Sequence, residues 1–237
     1  MRITLVPTPI GNLEDMTLRA IRVLREASLI AAEDTRTSGV LLKHYGIETP
    51  QTALHQHNEH RRVPELVQRV RDEDLHLAVI TDAGTPGISD PGFLLVREAL
   101  RQGVPVETLP GPVAFVPALV SSGLPCDRFV FEGFLPPKKG RQTRIRELAA
   151  DPRTWILYES PHRLLKTLEQ LIEACGPERP ASASRELSKL HESHVHGSLA
   201  HLREHFTRQA PKGEFVLVVG GSEAALPVSD AMAEEEN

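Results

Sequence analysis

Apolar residues along this chain fall in short runs, each followed by a turn rich in Gly and Pro and then by a stretch of helical periodicity. Leu77-Ala78-Val79-Ile80 is the clearest run and reads as a buried parallel strand. Behind it lies Thr81 to Gly92, TDAGTPGISDPG, and then Phe93 to Gln102, where Leu95, Val96, Ala99 and Leu100 share one helical face. The same alternation predicts strands at Arg2–Val6, Leu29–Ala32 and Val104–Leu109. It predicts helices at Met16–Ala27, Val40–Tyr45 and Pro64–Arg71, and from Val113 to about Leu119. Asp15 or Thr17 is positioned to cap the first helix, and Arg19, Arg22 and Arg25 form a stripe on its solvated side. The first half therefore reads as a parallel α/β domain.

Ser121-Ser122-Gly123-Leu124-Pro125 punctuates the chain, and the pattern then restarts. Strands are expected at Phe129–Phe131, Thr154–Tyr158, Ala181–Ser184, His191–His196 and Glu214–Val219. Helices are expected in a basic stretch ending near Leu148, at Leu164–Ala174 and at Ser198–Phe206. The predicted organisation is a parallel-sheet domain over 1–120, a mixed-sheet α/β domain over 121–221, and a small-residue, acidic tail over 222–237, read as disordered.

Composition fits a globular protein, with 40% hydrophobic and 25% charged residues. Two cysteines, Cys126 and Cys175, make neither a disulfide framework nor a CxxC motif, which favours a reducing cytoplasm. The opening MRITLV is too short for a signal-peptide core or a membrane span, so no membrane association is expected. The formal charge of −5 argues against nucleic-acid binding until its distribution is considered. Glu223, Asp230, Glu234, Glu235 and Glu236 carry all of it, which leaves the rest of the chain balanced. Between Arg128 and Arg146 only Glu132 offsets six positive residues, and it is local charge that decides whether a phosphate backbone docks.

The loop at Thr81–Gly92 is the first candidate site, because ligands of open parallel sheets bind outside the carboxyl ends of the strands. Its glycines allow close backbone approach, and Asp82 and Asp90 can accept hydrogen bonds from ribose hydroxyls or an amino group. It is neither a phosphate loop nor a GxGxxG fingerprint, and no such fingerprint follows the first strand, which argues against an ordinary nicotinamide enzyme. The histidines of His55-Gln56-His57-Asn58-Glu59-His60 invite a metal, but catalytic zinc sites set their ligands on rigid elements. A polar loop is the preferred reading, and no metal is assigned.

Ten motifs occur in order: TPIGNLEDMTLRA, AEDTR, HNE, DAGTPGISDPG, PGP followed by Val-Ala, SGLP, FEGFLP, YESPHR, SRELSK and GEFVLVV. From about Ile3 to Gly220 the chain thereby resembles the bacterial 16S ribosomal RNA (cytidine-2′-O)-methyltransferases of the tetrapyrrole methylase superfamily. The resemblance implies two α/β domains of the tetrapyrrole methylase type with the ligand cleft between them, and a homodimer. It implies S-adenosyl-L-methionine (AdoMet) as methyl donor, and as substrate a cytidine ribose in the decoding region of 16S rRNA within the small ribosomal subunit. Carried over by motif, the AdoMet contacts are Pro9, Ile10, Gly11, Asp82, Ala83, Gly84, Thr85, Ile88, Val113, Ala114, Tyr158 and Glu214. Thr81 and Ser188 stand where the family often has serine and threonine, a hydroxyl for a hydroxyl. Many members continue past the last strand into a small helical domain, where this chain has its acidic tail.

Methylating a ribose hydroxyl requires oxygen, methyl carbon and sulfur in line, and positioning alone supplies roughly 7–11 kcal/mol. A base near the hydroxyl adds about 10²–10⁴-fold. Asp34, Glu59, Glu159 and Glu186 are the acids at element ends that can orient or deprotonate it. Each reads equally as half of an ion pair, Asp34 with Arg36, Glu159 with Arg163 and Glu186 with Arg185. Lys189 is a further candidate, as a base if burial depresses its pKa or as a phosphate contact. Arg36, Lys138, Lys139, Arg141, Arg144 and Arg163 are the candidate RNA contacts, and Lys138–Arg146 reads either as a mobile basic loop or as a solvated helix face. Two alternatives stand beside this reading. One is a small-molecule, tetrapyrrole-like methyltransferase of the same superfamily, and the other a non-catalytic RNA- or nucleotide-binding module.

Overall fold

The computed structural model describes residues 1–224, so the acidic tail past Ala224 lies outside the described residues. The chain forms two compact units, Met1–Ala114 and the segment from Phe115 onward.

The first unit contains β1 (Arg2–Leu5), α1 (Leu18–Glu26), β2 (Leu29–Ala32), α2 (Thr35–His44), β3 (Gln51–Ala53), α3 (Glu59–Asp72), β4 (His76–Ile80), α4 (Phe93–Arg101) and β5 (Val106–Thr108). Its sheet has the order β3-β2-β4-β1-β5 and is parallel throughout. Both faces are covered, which is why β2 and most of β4 are apolar at successive positions rather than alternate ones. Ile3, Leu5, Leu77 and Val79 pack with Val67 and Val70 of α3 and Leu95 and Ala99 of α4. Their neighbours Val6, Ala78 and Ile80 pack on the other side with Val23 and Leu24 of α1 and Leu42 of α2.

Three boundaries differ from the periodicity. Strand β3 is a three-residue polar edge, too short to leave a pattern. Helix α2 begins at Thr35, five residues before its apolar stripe, because the Asp34 side chain accepts the Arg36 N–H at 2.8 Å and caps it there. Helix α3 begins at Glu59 and carries Pro64 inside it. Asn58 starts it, its carbonyl accepting from the N–H groups of Arg61 and Arg62. Thr17, rather than Asp15, caps α1 by accepting the Ala20 N–H. The arginine stripe of α1 is solvated as expected. Arg19 pairs with Glu107, Arg22 pairs with Glu26, and Arg25 donates to the Tyr45 carbonyl.

The second unit contains α5 (Phe115–Ser121), β6 (Phe129–Phe134), α6 (Arg141–Ala150), β7 (Thr154–Glu159), α7 (Leu164–Cys175), β8 (Pro180–Arg185), β9 (Ser193–Ser198), α8 (Leu199–Arg208) and β10 (Phe215–Val219). Its sheet is mixed, in the order β6-β7-β10-β8-β9, with β6 and β7 parallel and the remaining pairs antiparallel. Trp155, Leu157, Leu217 and Val219 face Ile145 and Leu148 of α6, Leu164, Leu168 and Leu171 of α7, and Leu202 and Phe206 of α8. Of the two readings of Lys138–Arg146, loop or helix face, the helix is the one found from Arg141 onward, fixed to the sheet by Ile145 and Leu148.

In the first unit a close approach fixes how the site loops sit. A Cβ on Gly111 would fall 2.6 Å from Cβ of Pro7, so the loop after β5 lies directly on the loop after β1. Gly111→Ala is expected to cost about 1–3 kcal/mol through this overpacking. Urea unfolding followed by circular dichroism checks it, and an unchanged midpoint would show that the two loops part freely.

Candidate active site

A parallel sheet places the carboxyl ends of all its strands together. In the first unit this gathers Pro7–Asn12, Glu33–Arg36, His55–His60, Thr81–Gly92 and Leu109–Ala114 at one edge. Hydrogen bonds then lock the loops to one another. Thr8 and Gly84 exchange two backbone bonds of 2.9 Å each, and the Thr8 hydroxyl donates to the Thr81 carbonyl at 3.0 Å. The Thr85 hydroxyl donates to the Pro112 carbonyl at 2.9 Å. Cγ2 of Ile10 lies 3.6 Å from where a Cβ on Gly84 would stand. Pro9–Gly11, Asp82–Ile88 and Val113–Ala114, singled out from three separate motifs, are thus brought together.

The loop after β2 joins this group through carboxylates. The Asp34 N–H donates to Asp82 Oδ1 at 3.2 Å, and the Asp82 N–H donates to Glu33 Oε2 at 3.4 Å. Burial raises the Asp82 carboxyl above its ordinary range, and the nearby Asp34 charge adds to the rise. Burial likewise raises Glu33, with the Asp82 charge reinforcing it. Asp34 goes the other way: the Arg36 side chain holds it down to about 2. Arg36 grips Asp34 through two nitrogens and is still 89% exposed. Such an edge offers carboxylate and carbonyl acceptors to hydroxyl and amino donors, and a negative rim to a cationic ligand. Asn58 braces the histidine loop, its side chain accepting the His55 N–H and donating to the Ala53 carbonyl. Among the described residues no group of three His, Cys, Asp or Glu side chains is placed to hold a metal ion.

In the second unit, register brings four motifs to one end of the sheet. Phe134 lies opposite Tyr158, Glu159 opposite Phe215, and Phe215 opposite Arg185. FEGFLP, YESPHR, SRELSK and the start of GEFVLVV therefore converge. Glu159, however, is only 2% exposed. Its carboxylate accepts the Ser160 N–H at 2.9 Å and the Thr167 hydroxyl at 2.7 Å. It pairs with Arg163 at 2.9 Å and faces Arg141 at 3.6 Å. Arg141, expected at the RNA surface, is 7% exposed and donates to Gln170, Thr167 and the Pro136 carbonyl. The ion-pair reading of Glu159 is the one the structure supports, with Arg141 as a second partner. Thr167 and Gln170 complete the cluster. Thr167 carried one signal, a polar residue on the Leu164–Leu168–Leu171 stripe of α7.

Glu186 pairs with Lys189 at 3.0 Å rather than with Arg185, whose Nε donates to the Lys212 carbonyl. Glu186 also accepts the Glu214 N–H at 2.8 Å, which together with Lys189 holds its carboxyl low. Burial disfavours the Lys189 charge, but hydrogen bonds to Glu214 and Glu186 outweigh it and raise the pKa, opposite to what a lysine base requires. Glu214 itself is 83% exposed on its side chain. Arg144 is held by Glu132 and Glu147, whereas Lys138 and Lys139 are exposed. Tyr158 stands between Phe131 and Phe134, edge-on to both.

Residues 2–203 match the family model described as Tetrapyrrole (Corrin/Porphyrin) Methylases. The chain belongs to this family. Among its members the chain is 49% identical over 234 residues to the Synechocystis protein named Ribosomal RNA small subunit methyltransferase I, covering 98% of this chain and 82% of that one. The Thermotoga maritima protein of the same name is 41% identical over 94% of this chain and 99% of its own. Solved tetrapyrrole methylase structures share the fold. Uroporphyrin-III C-methyl transferase from Thermus thermophilus, complexed with S-adenyl homocysteine, superposes with a TM-score of 0.65 at 22% identity over 94% of this chain and 98% of that one. Diphthine synthase superposes with a TM-score of 0.74 at 16% identity over 93% of this chain and 90% of its own.

Proposed function

We propose that this tetrapyrrole methylase transfers a methyl group from AdoMet to the ribose 2′-hydroxyl of a cytidine in the decoding region of 16S rRNA, acting on the small ribosomal subunit, as a cytoplasmic homodimer. The observation that carries the reading is the extended identity to proteins named ribosomal RNA small subunit methyltransferase I. The locked strand ends of the first unit fit the donor. Pro9–Gly11, Asp82–Ile88 and Val113–Ala114 would hold AdoMet. The bound donor supplies a methyl already activated by its sulfonium.

The chain's own residues provide alignment more than proton abstraction. Asp34 is gripped by Arg36 and holds its proton only near pH 2, Glu159 is enclosed, Glu186 is held low, and Lys189 stays charged. Lys189 and Arg36 then serve as electrostatic contacts to the substrate, and orientation accounts for the roughly 7–11 kcal/mol that positioning supplies. Charge on Asp82 is part of the donor site. Protonating it removes that charge, so AdoMet affinity is full above the raised pKa and falls as pH drops through it. Calorimetric titration at a series of pH values is expected to show the loss beginning above the ordinary aspartate range. An onset at or below that range would count against a role for the Asp82 charge.

The decisive experiment offers labelled AdoMet and the purified protein to small subunits from a strain lacking the modification, then maps the label by nuclease digestion. Label on one cytidine ribose is the expected result. AdoMet binding without transfer to subunits or to naked RNA would defeat the substrate assignment. It would leave a small-molecule methyltransferase or a binding module.

A further inference from the structure

Strand β6 is an edge strand with an irregularity at its end. Phe131 lies opposite Ile156 and Gly133 opposite Leu157, so Glu132 is an extra residue in the pairing. Gly133 takes φ +69°, a backbone conformation that glycine adopts without strain, and Glu132 is anchored by Arg144 at 2.8 Å. Bulges of this kind re-aim side chains at the edges of sheets. Here the extra residue puts Phe134 on the same face as Phe131, three positions earlier, and both rings abut Tyr158 edge-on, at 5.6 and 5.1 Å. Phe115 stacks on Phe131 at 4.6 Å and continues the row. Leu135 next door is buried, which fixes the backbone, while Phe134 remains 52% exposed.

Four and five residues further along the chain, Lys138 and Lys139 are exposed. Arg141 holds the turn that carries them, donating its N–H to the Lys138 carbonyl and its guanidinium to the Pro136 carbonyl. An exposed ring followed in the chain by two exposed cations on a fixed turn has the makeup of a single-strand nucleic-acid contact, in which rings stack bases and cations meet phosphates.

We propose that Phe134 is the stacking platform for an unpaired base of the RNA substrate, with Lys138 and Lys139 engaging the flanking phosphates. This rests on the RNA methylation reading above and assigns the residue that grips a base in it. The ring acts by binding, and its loss weakens RNA affinity while leaving the donor site intact.

The test compares wild type, Phe134→Leu, Phe134→Trp and the double variant Lys138→Gln/Lys139→Gln. Each is measured for affinity to small subunits over a salt series, for methyl transfer, for AdoMet affinity and for oligomeric state. Phe134→Leu is expected to weaken subunit binding about 5- to 150-fold, the equivalent of roughly 1–3 kcal/mol per stacked base, with an unchanged salt slope and AdoMet affinity. Phe134→Trp restores binding to within about threefold. The lysine variant instead lowers the salt slope by about 2, near 1 per phosphate contact. Wild-type RNA affinity in Phe134→Leu would overturn the proposal alone, as would a change confined to self-association. Wild-type protein that binds AdoMet but no RNA would overturn the proposal together with the reading beneath it.

Discussion

Glu159→Ala is expected to destabilise the second unit by about 3–5 kcal/mol, the range seen when one partner of an enclosed ion pair is removed. The substitution leaves the Arg141 guanidinium inside with only Thr167, Gln170 and the Pro136 carbonyl for company, all neutral. It also takes the acceptor from Ser160 N–H and from Arg163, so the YESPHR turn loses its latch. Trp155, the chain's single tryptophan, lies fully buried in the same strand, β7, and reports the transition by fluorescence during urea unfolding. The double variant Glu159→Leu/Arg141→Met removes both charges at similar volume and is expected to recover most of the loss. A single variant within about 1 kcal/mol of wild type would mean that water reaches Arg141 and the pair is not enclosed.

Asp82→Ala is expected to raise the dissociation constant for AdoMet about 10- to 150-fold, the equivalent of roughly 1.5–3 kcal/mol for a hydrogen bond to a charged group. Asp82 also braces the loop after β2, because its Oδ1 accepts the Asp34 N–H. Asp82→Asn separates the two tasks. Its amide oxygen preserves the brace and keeps wild-type thermal stability, whereas AdoMet affinity stays low for want of the charge. Calorimetry on both variants checks this. Wild-type affinity in Asp82→Ala would remove the carboxylate from the donor site.

What the sequence disclosed depended on how far each signal reaches along the chain. The strands β2, β4 and β10 are apolar through most of their length and were legible, because both faces of each are buried. The loop after β4 was legible as a candidate site from its Gly and Pro content, whereas those after β1 and β5 became candidates only through the family resemblance. Strand β3 was not, since three half-buried residues show no period. Pairings across distance were the least visible. Arg141 and Glu159 are eighteen residues apart, on α6 and at the end of β7, and only the packing of α6 and α7 on the sheet brings them together. Adjacency misled at Glu186. Successive side chains at a strand end point apart, so Arg185 reaches the Lys212 carbonyl while Glu186 meets Lys189 one turn on. The bulge at Glu132–Gly133 had a glycine as its only mark.

The wholly parallel first sheet has an evolutionary consequence. Every strand exits at the same edge into its own strand-to-helix connection, and the apolar clusters on the two faces of the sheet are indifferent to what those connections contain. Lengthening such a connection costs little, roughly 0.6 kcal/mol for each doubling. One loop can therefore drift while the Thr8–Gly84 and Thr85–Pro112 bonds keep the loops after β1, β4 and β5 in register. A scaffold of this kind lets its loops change while the strands beneath them stay, and the fold likeness to a solved structure at 16% identity is compatible with that freedom.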